Sequence, residues 1–216
     1  MTDPTLDEMR ERLSAELPRH AAFDGWTPAA LAIAAGAAGV DPSIATLAFP
    51  GGGVEMIDGW FSGVDRAMAL AVPAEQLSTM KVRARIIALV EARIDLIAPD
   101  IEALRRALAI LALPQNLPRA AKLGWRAADT IWRAAGDTST DLNHYSKRTL
   151  LAGIYTATIM AMLDDESEGL AETRAFLGRR VDGVMQFEKL KGRFTHSAPE
   201  RLSLARFLGR LRYPAV

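Results

Sequence analysis

The chain has 216 residues, half of them hydrophobic and 6% aromatic, and its 26 basic and 26 acidic side chains give a formal net charge of zero. Such a balance offers no bulk electrostatic attraction to nucleic acid. Cysteine is absent from the sequence, which excludes disulfides and thiolate chemistry. Alanine and leucine dominate and runs of β-branched residues are scarce, so the composition predicts an all-α protein.

The N-terminal segment predicts a first helix. Residues 3–8 contain an aspartate before a proline and a Thr-x-x-Glu capping box, both typical helix starts. An apolar stripe continues to Leu17, and Pro18 predicts the end of the helix. These first residues are acidic where a secretory or mitochondrial targeting segment is basic, which favours a bacterial cytoplasmic location.

The segment from 25 to 55 has the layout of a helix-turn-helix. A short helix from Pro28 to about Ala38 is followed by a turn at Gly39, a second short helix after Asp41, a glycine run at 51–53 and a new helix from Glu55. The glycine run lacks the Gly-Lys-Ser/Thr of a phosphate-binding loop and is interpreted as a turn. This layout resembles the N-terminal domain of TetR-type repressors.

The charge of this segment argues against DNA binding. Residues 21–65 contain no lysine or arginine, whereas five of them are acidic: Asp24, Asp41, Glu55, Asp58 and Asp65. Basic side chains that neutralise phosphates contribute most of the affinity for DNA. A structural role is therefore favoured, and Gly59 and Gly63 are expected to allow close helix packing.

Four longer helices are predicted between residues 78 and 163. The first runs from about Ser78 to Pro99, with Arg83, Arg85 and Arg93 placed outside its apolar stripe. The others run from about Asp100 to Pro114, from 118 to 135 and from 141 to 163. Together they predict a ligand-binding bundle with room for a small apolar ligand between the helices.

The connection between the last two of these helices is polar and specific. Gly136 is expected in the left-handed conformation that ends a helix, and Asp137 or Ser139 is expected to cap the next one. The uncharged stretch of that next helix, 150–163, is shorter than the ~20 residues that span a bilayer. No transmembrane helix is therefore expected.

The C-terminal part predicts two more elements. Residues 168–191 form an amphipathic pattern, and a polar break is expected from Lys189 to His196. A helix over 197–212 then has an apolar face flanked by arginines, a pattern typical of helices that lie in a membrane interface. A terminal helix docked on its own domain or on a partner subunit fits the same pattern. The residues predicted to contact the membrane are Leu204, Arg206, Phe207, Leu208, Arg210 and Leu211.

The sequence offers no convincing catalytic or metal centre. It has three histidines and no Glu-x-x-His pair, which excludes a di-iron carboxylate bundle. Asp141 and His144 are one helical turn apart but lack a second pair of ligands. Asp137, Ser139 and His144 are too close in sequence for a triad and are interpreted as capping residues. We expect neither an enzyme nor a cofactor.

A family resemblance rests on four ungapped motifs. They are Leu113-Pro114-Gln115-Asn116, the string from Trp132 to Arg148 with its Ala-Gly-Asp-Thr-Ser-Thr-Asp core, Phe176-Leu177-x-Arg179-Arg180 and Phe187-Glu188-Lys189. Over roughly residues 26–189 the chain resembles the ninth coenzyme-Q protein family, whose members are accessory proteins of ubiquinone biosynthesis.

The resemblance implies a TetR-like, non-catalytic and usually homodimeric lipid-binding protein. Such a protein binds an isoprenoid quinone intermediate and presents it to the demethoxyubiquinone hydroxylase at the inner membrane. A TetR-type ligand-responsive regulator and a general acyl-chain or phospholipid-binding protein are the alternatives. The implied organisation is a degenerate helix-turn-helix domain (1–65), a lipid-binding and dimerisation bundle (66–191) and the C-terminal helix (197–212).

Candidate site residues follow from these expectations. The apolar faces of the central helices predict lipid contacts by Leu89, Trp125, Tyr155, Ile159 and Met162, for which a plain core role is the alternative. The positions that match the family motifs imply a partner surface formed by Asp129, Trp132, Asp137 and Tyr145, for which packing and capping are the alternative.

Overall fold

A computed structural model describes residues 5–140 and 142–196, and all of its elements in these ranges are helical. This confirms the predicted all-α class. The predicted membrane-binding residues 204–211 lie outside the described part. The helices are α1 Leu6–Asp24, α2 Pro28–Ala38, α3 Pro42–Ala48, α4 Gly53–Ala71, α5 Ala74–Ser78, α6 Val82–Ile97, α7 Ile101–Leu111, α8 Leu117–Ala134, α9 Leu142–Met162 and α10 Ala171–His196, with single 3-10 turns at Ala98–Asp100, Pro114–Asn116 and Glu168–Leu170.

Helix α1 begins with the predicted capping box but continues past its proline. The backbone N–H of Glu8 donates to the Thr5 hydroxyl (3.3 Å) and the Thr5 N–H donates to the Glu8 carboxylate (2.8 Å). The predicted end at Pro18 is wrong, because α1 runs on to Asp24. Pro18 removes one backbone hydrogen bond, but it is buried in a helix that packs against α2, α4 and α7, and this packing offsets the loss.

Helices α2 and α3 form the predicted helix-turn-helix with local caps at both starts. The Thr27 side chain accepts from the Ala30 N–H and the Asp41 side chain accepts from the Ser43 N–H. Between the two helices Gly39 has a φ of 66°, the left-handed conformation that glycine adopts most readily. These local signals explain why the bounds of α2 were predictable.

Helix α4 packs closely on its neighbours at one of its two inner glycines. A Cβ on Gly59 would lie 2.4 Å from the Ser14 hydroxyl oxygen and 3.1 Å from Phe49 Cε1. A Cβ on Gly63 would meet nothing within 4 Å. The expectation of close packing therefore holds for Gly59 and is wrong for Gly63.

These two glycines supply a matched test of the packing. We expect Gly59→Ala to lower the free energy of unfolding by about 1–3 kcal/mol, because the added methyl overpacks the contact with α1. We expect Gly63→Ala, in the same helix, to raise it by about 0.5–1 kcal/mol, because alanine loses less backbone entropy on folding. Urea denaturation measures both, and equal shifts of the same sign would contradict the packing at Gly59.

The helix predicted from about Ser78 to Pro99 is α6, Val82–Ile97, which begins four residues later than predicted. A short helix that was not predicted, α5, ends at Ser78, and residues 79–81 interrupt the chain between the two. Arg85 satisfies carbonyl groups at the interruption. Its Nε donates to the Met80 carbonyl (2.9 Å), and its guanidinium also donates to the Ala135 carbonyl (2.9 Å). The break is thus stabilised by a contact 50 residues away, which local sequence does not reveal.

The last described helix differs from prediction in the opposite direction. Helix α10 continues to His196 through the expected break at 189–196, so that prediction is wrong. Polar residues alone do not end a helix, and the one glycine in this stretch, Gly192, costs only about 1 kcal/mol.

Within the described part of the chain, residues up to Gly178 form one compact unit and residues 179–196 belong to a second. The predicted domain boundaries stay predictions, and residue 65 lies inside α4.

In the described residues no single helix has the length and hydropathy to cross a membrane. Helices α2 and α3 together have that length and hydropathy, but the chain bends by 119° between them.

Candidate functional site

The main candidate site is a largely apolar cavity of about 460 Å³ inside the unit that ends at Gly178. Its volume lies in the range of roughly 300–1,000 Å³ typical of small-molecule pockets. Side chains from α4, α6, α7, α8 and α9 form its wall. The lining comprises Phe61, Asp65, Arg93, Arg105, Leu108, Ala109, Leu111, Ala112, Leu117, Ala120, Leu123, Gly124, Arg126, Ala127, Tyr155, Thr156, Ile159, Met160 and Leu163.

Helical spacing explains the apolar wall. In α8, Ala120, Gly124 and Ala127 follow one another at intervals of three and four residues, so they share one face. Their small side chains leave space that larger residues would fill. Across the cavity, Tyr155 and Ile159 repeat at the same interval in α9.

One part of the cavity wall is polar. Asp65 forms ion pairs with Arg93 and with Arg126, the latter at 3.0 Å, and Arg126 also pairs with Asp58. Arg93 is 1% exposed, and its guanidinium carbon lies 5.0 Å from the centroid of the Tyr155 ring. We refer to Asp58, Asp65, Arg93 and Arg126 as the cavity ion cluster.

Two buried polar atoms beside this cluster have no partner at hydrogen-bonding geometry, although the Arg93 guanidinium and Tyr155 lie close enough to interact. They are Arg93 Nε and the hydroxyl oxygen of Tyr155, a residue that is 6% exposed. Burial on its own lowers the pKa of Arg93, but the neighbouring Tyr155 and Asp65 outweigh it and raise the pKa above its ordinary value. Arg93 is therefore charged within the cavity wall.

The predicted lipid-binding residues are divided between cavity and core. Tyr155 and Ile159 line the cavity. Leu89 and Met162 are buried but do not contribute to the lining. Trp125 is half-buried outside the lining, where its ring centroid lies 6.1 Å from that of Tyr145. Lipid contact by these five residues stays a prediction.

The ion cluster was missed by sequence reasoning, and the placement of Arg93 outside the apolar stripe was wrong. Arg93 follows Ile86 and Val90 and precedes Ile97 at helical intervals, so it shares their buried face. That interval was the available signal. Its partner Asp65 lies 28 residues earlier, and the sequence gives no sign of the pairing.

A second group of charges lies at the connection between α8 and α9. Arg148 is 1% exposed, and it pairs with Asp129 at 2.6 Å and with Asp137 at 3.0 Å. Lys147 pairs with Asp137 at 2.7 Å. We call Asp129, Asp137, Lys147 and Arg148 the elbow cluster. Gly136, just before it, has a φ of 88°, which confirms the predicted left-handed conformation.

Electrostatics hold Asp137 ionised. Burial on its own raises the pKa of Asp137, but hydrogen bonds from Lys147, Ser139 and Arg148 outweigh it and hold the pKa well below its usual range. Because the folded-state pKa is lowered, this carboxylate stabilises the fold at neutral pH. That contribution is lost as the pH falls below about 4 toward the folded-state value.

Two of the four predicted partner-binding residues, Asp129 and Asp137, belong to the elbow cluster, and a third, Trp132, contacts it. Asp129 and Asp137 hold Arg148, and Trp132 donates from Nε1 to the Lys147 carbonyl at 3.0 Å. Tyr145 is 60% exposed and is available at the surface. A role of these four in partner binding stays a prediction.

Among the described side chains no group of three or more His, Asp or Glu residues is placed to hold a metal ion. His144 Nδ1 lies 2.9 Å from the Ser139 carbonyl oxygen. Asp141, its suggested companion, lies outside the described residues.

Comparisons with known proteins place this chain among ubiquinone biosynthesis proteins. A family model described as COQ9 matches residues 117–188. The mitochondrial ubiquinone biosynthesis protein COQ9 of Rattus norvegicus is 44% identical over 96 residues, which are 44% of this chain and 31% of that protein. Ubiquinone biosynthesis protein COQ9-A of Xenopus laevis is 37% identical over 169 residues (74% of this chain, 53% of that protein). COQ9 of Homo sapiens is 33% identical over 168 residues (74% of this chain, 52% of that protein). The longer matches thus span about half the length of these relatives.

The fold has a counterpart among solved structures. A TetR transcriptional regulator from Nitrosomonas europaea superposes with a TM-score of 0.64 and 23% sequence identity, covering 81% of this chain and 96% of the regulator. This confirms the predicted TetR-like fold. At that identity the likeness concerns the fold alone.

Proposed function

Because the chain belongs to the COQ9 family of ubiquinone biosynthesis proteins, we propose that it binds an isoprenoid quinone intermediate in the cavity between α4, α6, α7, α8 and α9. The observation that carries this proposal is the apolar wall of that cavity, built from small and aliphatic side chains. Each CH₂ removed from water contributes about 0.8 kcal/mol to binding, which favours a prenylated ligand.

The protein would act as a carrier and not as a catalyst. Its relatives are named as biosynthesis proteins, without an enzymatic activity in the name. A carrier shields the prenyl tail from water and leaves the head group available to an enzyme that modifies it. We propose the demethoxyubiquinone hydroxylase as that enzyme, at a membrane surface, with the carrier acting as a homodimer.

Location follows from the same relatives. The proteins compared above are named as mitochondrial, and nothing among the findings supports the bacterial location expected from the N-terminus. An inner-membrane surface, where ubiquinone precursors dissolve, fits the proposed cargo. The helix at 197–212 is the proposed contact with that membrane.

A regulator of transcription is the less favoured reading of the TetR-like fold. Residues 21–65, which contain α2 and α3, have no lysine or arginine. Several such side chains are needed to neutralise the phosphates of a DNA half-site. The segment therefore has the fold of a DNA-binding helix-turn-helix but lacks the basic side chains that such a domain needs.

Extraction of lipids from the purified protein tests the proposed cargo. The protein is isolated from a host that makes ubiquinone, washed, extracted with organic solvent and analysed by mass spectrometry. We expect prenylated quinones or their phenolic precursors at a molar ratio well above that in a membrane extract, since the cavity would select them. Recovery of phospholipids alone, in the proportions of the host membrane, would instead favour a general acyl-chain binding protein.

A further inference from the structure

The cavity ion cluster and the two unpaired polar atoms beside it make a second, chemically different part of the cavity. Arg93 Nε carries a hydrogen-bond donor, and the Tyr155 hydroxyl can donate or accept. Buried polar groups are normally paired, and leaving one unpaired costs free energy. Both residues line the same cavity, so a ligand there is the natural source of the missing acceptor.

We propose that this end of the cavity binds a neutral carbonyl oxygen of the lipid, on a quinone ring. The inference rests on the function proposed above and adds which part of the ligand enters the cavity: the head group lies against Arg93 and Tyr155, and the prenyl tail follows toward the apolar wall. Neither atom is open to water in the free protein. The head group must therefore displace the side chains that cover them.

Charge balance argues for a neutral acceptor. The cavity ion cluster contains two carboxylates, Asp58 and Asp65, and two guanidinium groups, Arg93 and Arg126, so it is neutral as a whole. A fatty-acid carboxylate or a phosphate would add an uncompensated negative charge to a mostly buried site, which is costly. A carbonyl accepts the same hydrogen bonds without adding charge.

The other cation of the lining does not change this balance. Arg105 is half exposed, pairs with Glu102 and Asp164 and donates to the Leu163 carbonyl at 2.7 Å. Its charge is therefore already compensated at the surface.

The planar side chains at this end of the cavity favour a flat ring over an ester. Phe61 and Tyr155 both line the cavity, and the Arg93 guanidinium lies over the Tyr155 ring. Aromatic rings and guanidinium planes stack on flat partners. A quinone ring offers such a face together with its carbonyl oxygens, whereas the ester of a phospholipid offers a carbonyl on a flexible chain.

The test removes a single oxygen atom. Delipidated wild-type protein and Tyr155→Phe are titrated with three probes: decylubiquinone, methyl laurate, which carries an ester carbonyl, and decylbenzene, which carries no oxygen. We expect Tyr155→Phe to bind decylubiquinone about fivefold more weakly, because one hydrogen bond is lost. We expect its affinity for the other two probes to equal that of the wild type.

The outcomes separate this inference from the proposed function. If the wild type binds none of the probes, the lipid-binding function fails and the inference fails with it. If the wild type binds decylubiquinone and Tyr155→Phe binds it equally well, only the head-group subsite is overturned. If Tyr155→Phe lost as much affinity for decylbenzene as for decylubiquinone, Tyr155 would be a packing residue. If it lost affinity only for methyl laurate, or equally for methyl laurate and decylubiquinone, the assignment to a quinone ring would be overturned.

A stability measurement supplies a readout that does not depend on any probe. Since the hydroxyl is buried without a partner, its removal relieves the ligand-free protein, and we expect the Tm of Tyr155→Phe to rise by about 2–4 °C. A lower Tm would mean that the hydroxyl is already bonded within the free protein, and it would overturn the proposed subsite. Phenylalanine keeps the ring, so the variant is expected to fold.

Discussion

Replacing Arg148 by methionine is expected to lower the free energy of unfolding by about 3–5 kcal/mol, the usual result of breaking a buried ion pair from one side. Arg148 is almost fully buried between Asp129 and Asp137. Methionine retains much of the aliphatic length but leaves both carboxylates without their shared cation. Among the described residues, Asp129 then retains Arg133, and Asp137 retains Lys147 and Ser139.

Arg133→Met is the matched control for this prediction. Arg133 also pairs with Asp129, at 2.9 Å, but its side chain is 72% exposed. Exposed pairs contribute about 0–1 kcal/mol, so we expect the control to unfold within that margin of the wild type. Tryptophan fluorescence in urea reports both variants. If Arg148→Met were as stable as Arg133→Met, the elbow cluster would not be holding α8 against α9.

A triple variant checks the cause. Adding Asp129→Asn and Asp137→Asn to Arg148→Met removes the uncompensated charges, and we expect it to recover part of the lost stability. Replacing a complete buried ionic group costs far less than removing one member of it. No recovery would point to lost packing as the origin of the effect.

The parts of the fold that were predictable depend on local signals. Thr27 and Pro28 start α2 and Gly39 ends it, and each acts within one helical turn. The errors arose where distant contacts decide the outcome. Packing against α2, α3, α4 and α7 carries α1 past Pro18, and the contact of Arg85 with the Ala135 carbonyl stabilises the interruption before α6.

The site was predictable to a smaller extent. Apolar periodicity marks Leu89, Ile159 and Met162 as buried, but it does not distinguish the side chains that face a void from those that pack against others. Only Ile159 of these three lines the cavity. The polar part depends on pairs such as Asp65 with Arg126, which are 61 residues apart, and such pairing follows from the assembled fold.

The acidic residues of α4 illustrate the same limit. In the sequence, Asp58 and Asp65 contribute to the negative character of the segment that argued against DNA binding. In the structure they pair with Arg126 from α8. Two of the charges that are unfavourable for a DNA-binding domain therefore join α4 to the bundle, and one of them, Asp65, also lines the cavity.

Filling the cavity is expected to weaken lipid binding strongly without harming the fold. Gly124 lies in the cavity wall, and a Cβ there would meet only the Thr156 hydroxyl oxygen, at an ordinary 3.8 Å. In Gly124→Phe the ring would occupy the space proposed for the ligand. We expect the affinity for decylubiquinone to fall about a hundredfold, or about 2.7 kcal/mol.

The fold should tolerate this change, because phenylalanine has a higher helix propensity than glycine and fills empty space. Gly153→Phe is the matched control. It makes the same substitution in α9 at an exposed glycine, outside the cavity lining, where an added Cβ would meet nothing within 4 Å. Isothermal titration of both variants with decylubiquinone gives the affinities, and circular dichroism during heating verifies that both are folded. Wild-type affinity in a folded Gly124→Phe would place the ligand outside this cavity, because the phenylalanine ring and the ligand cannot occupy the same space.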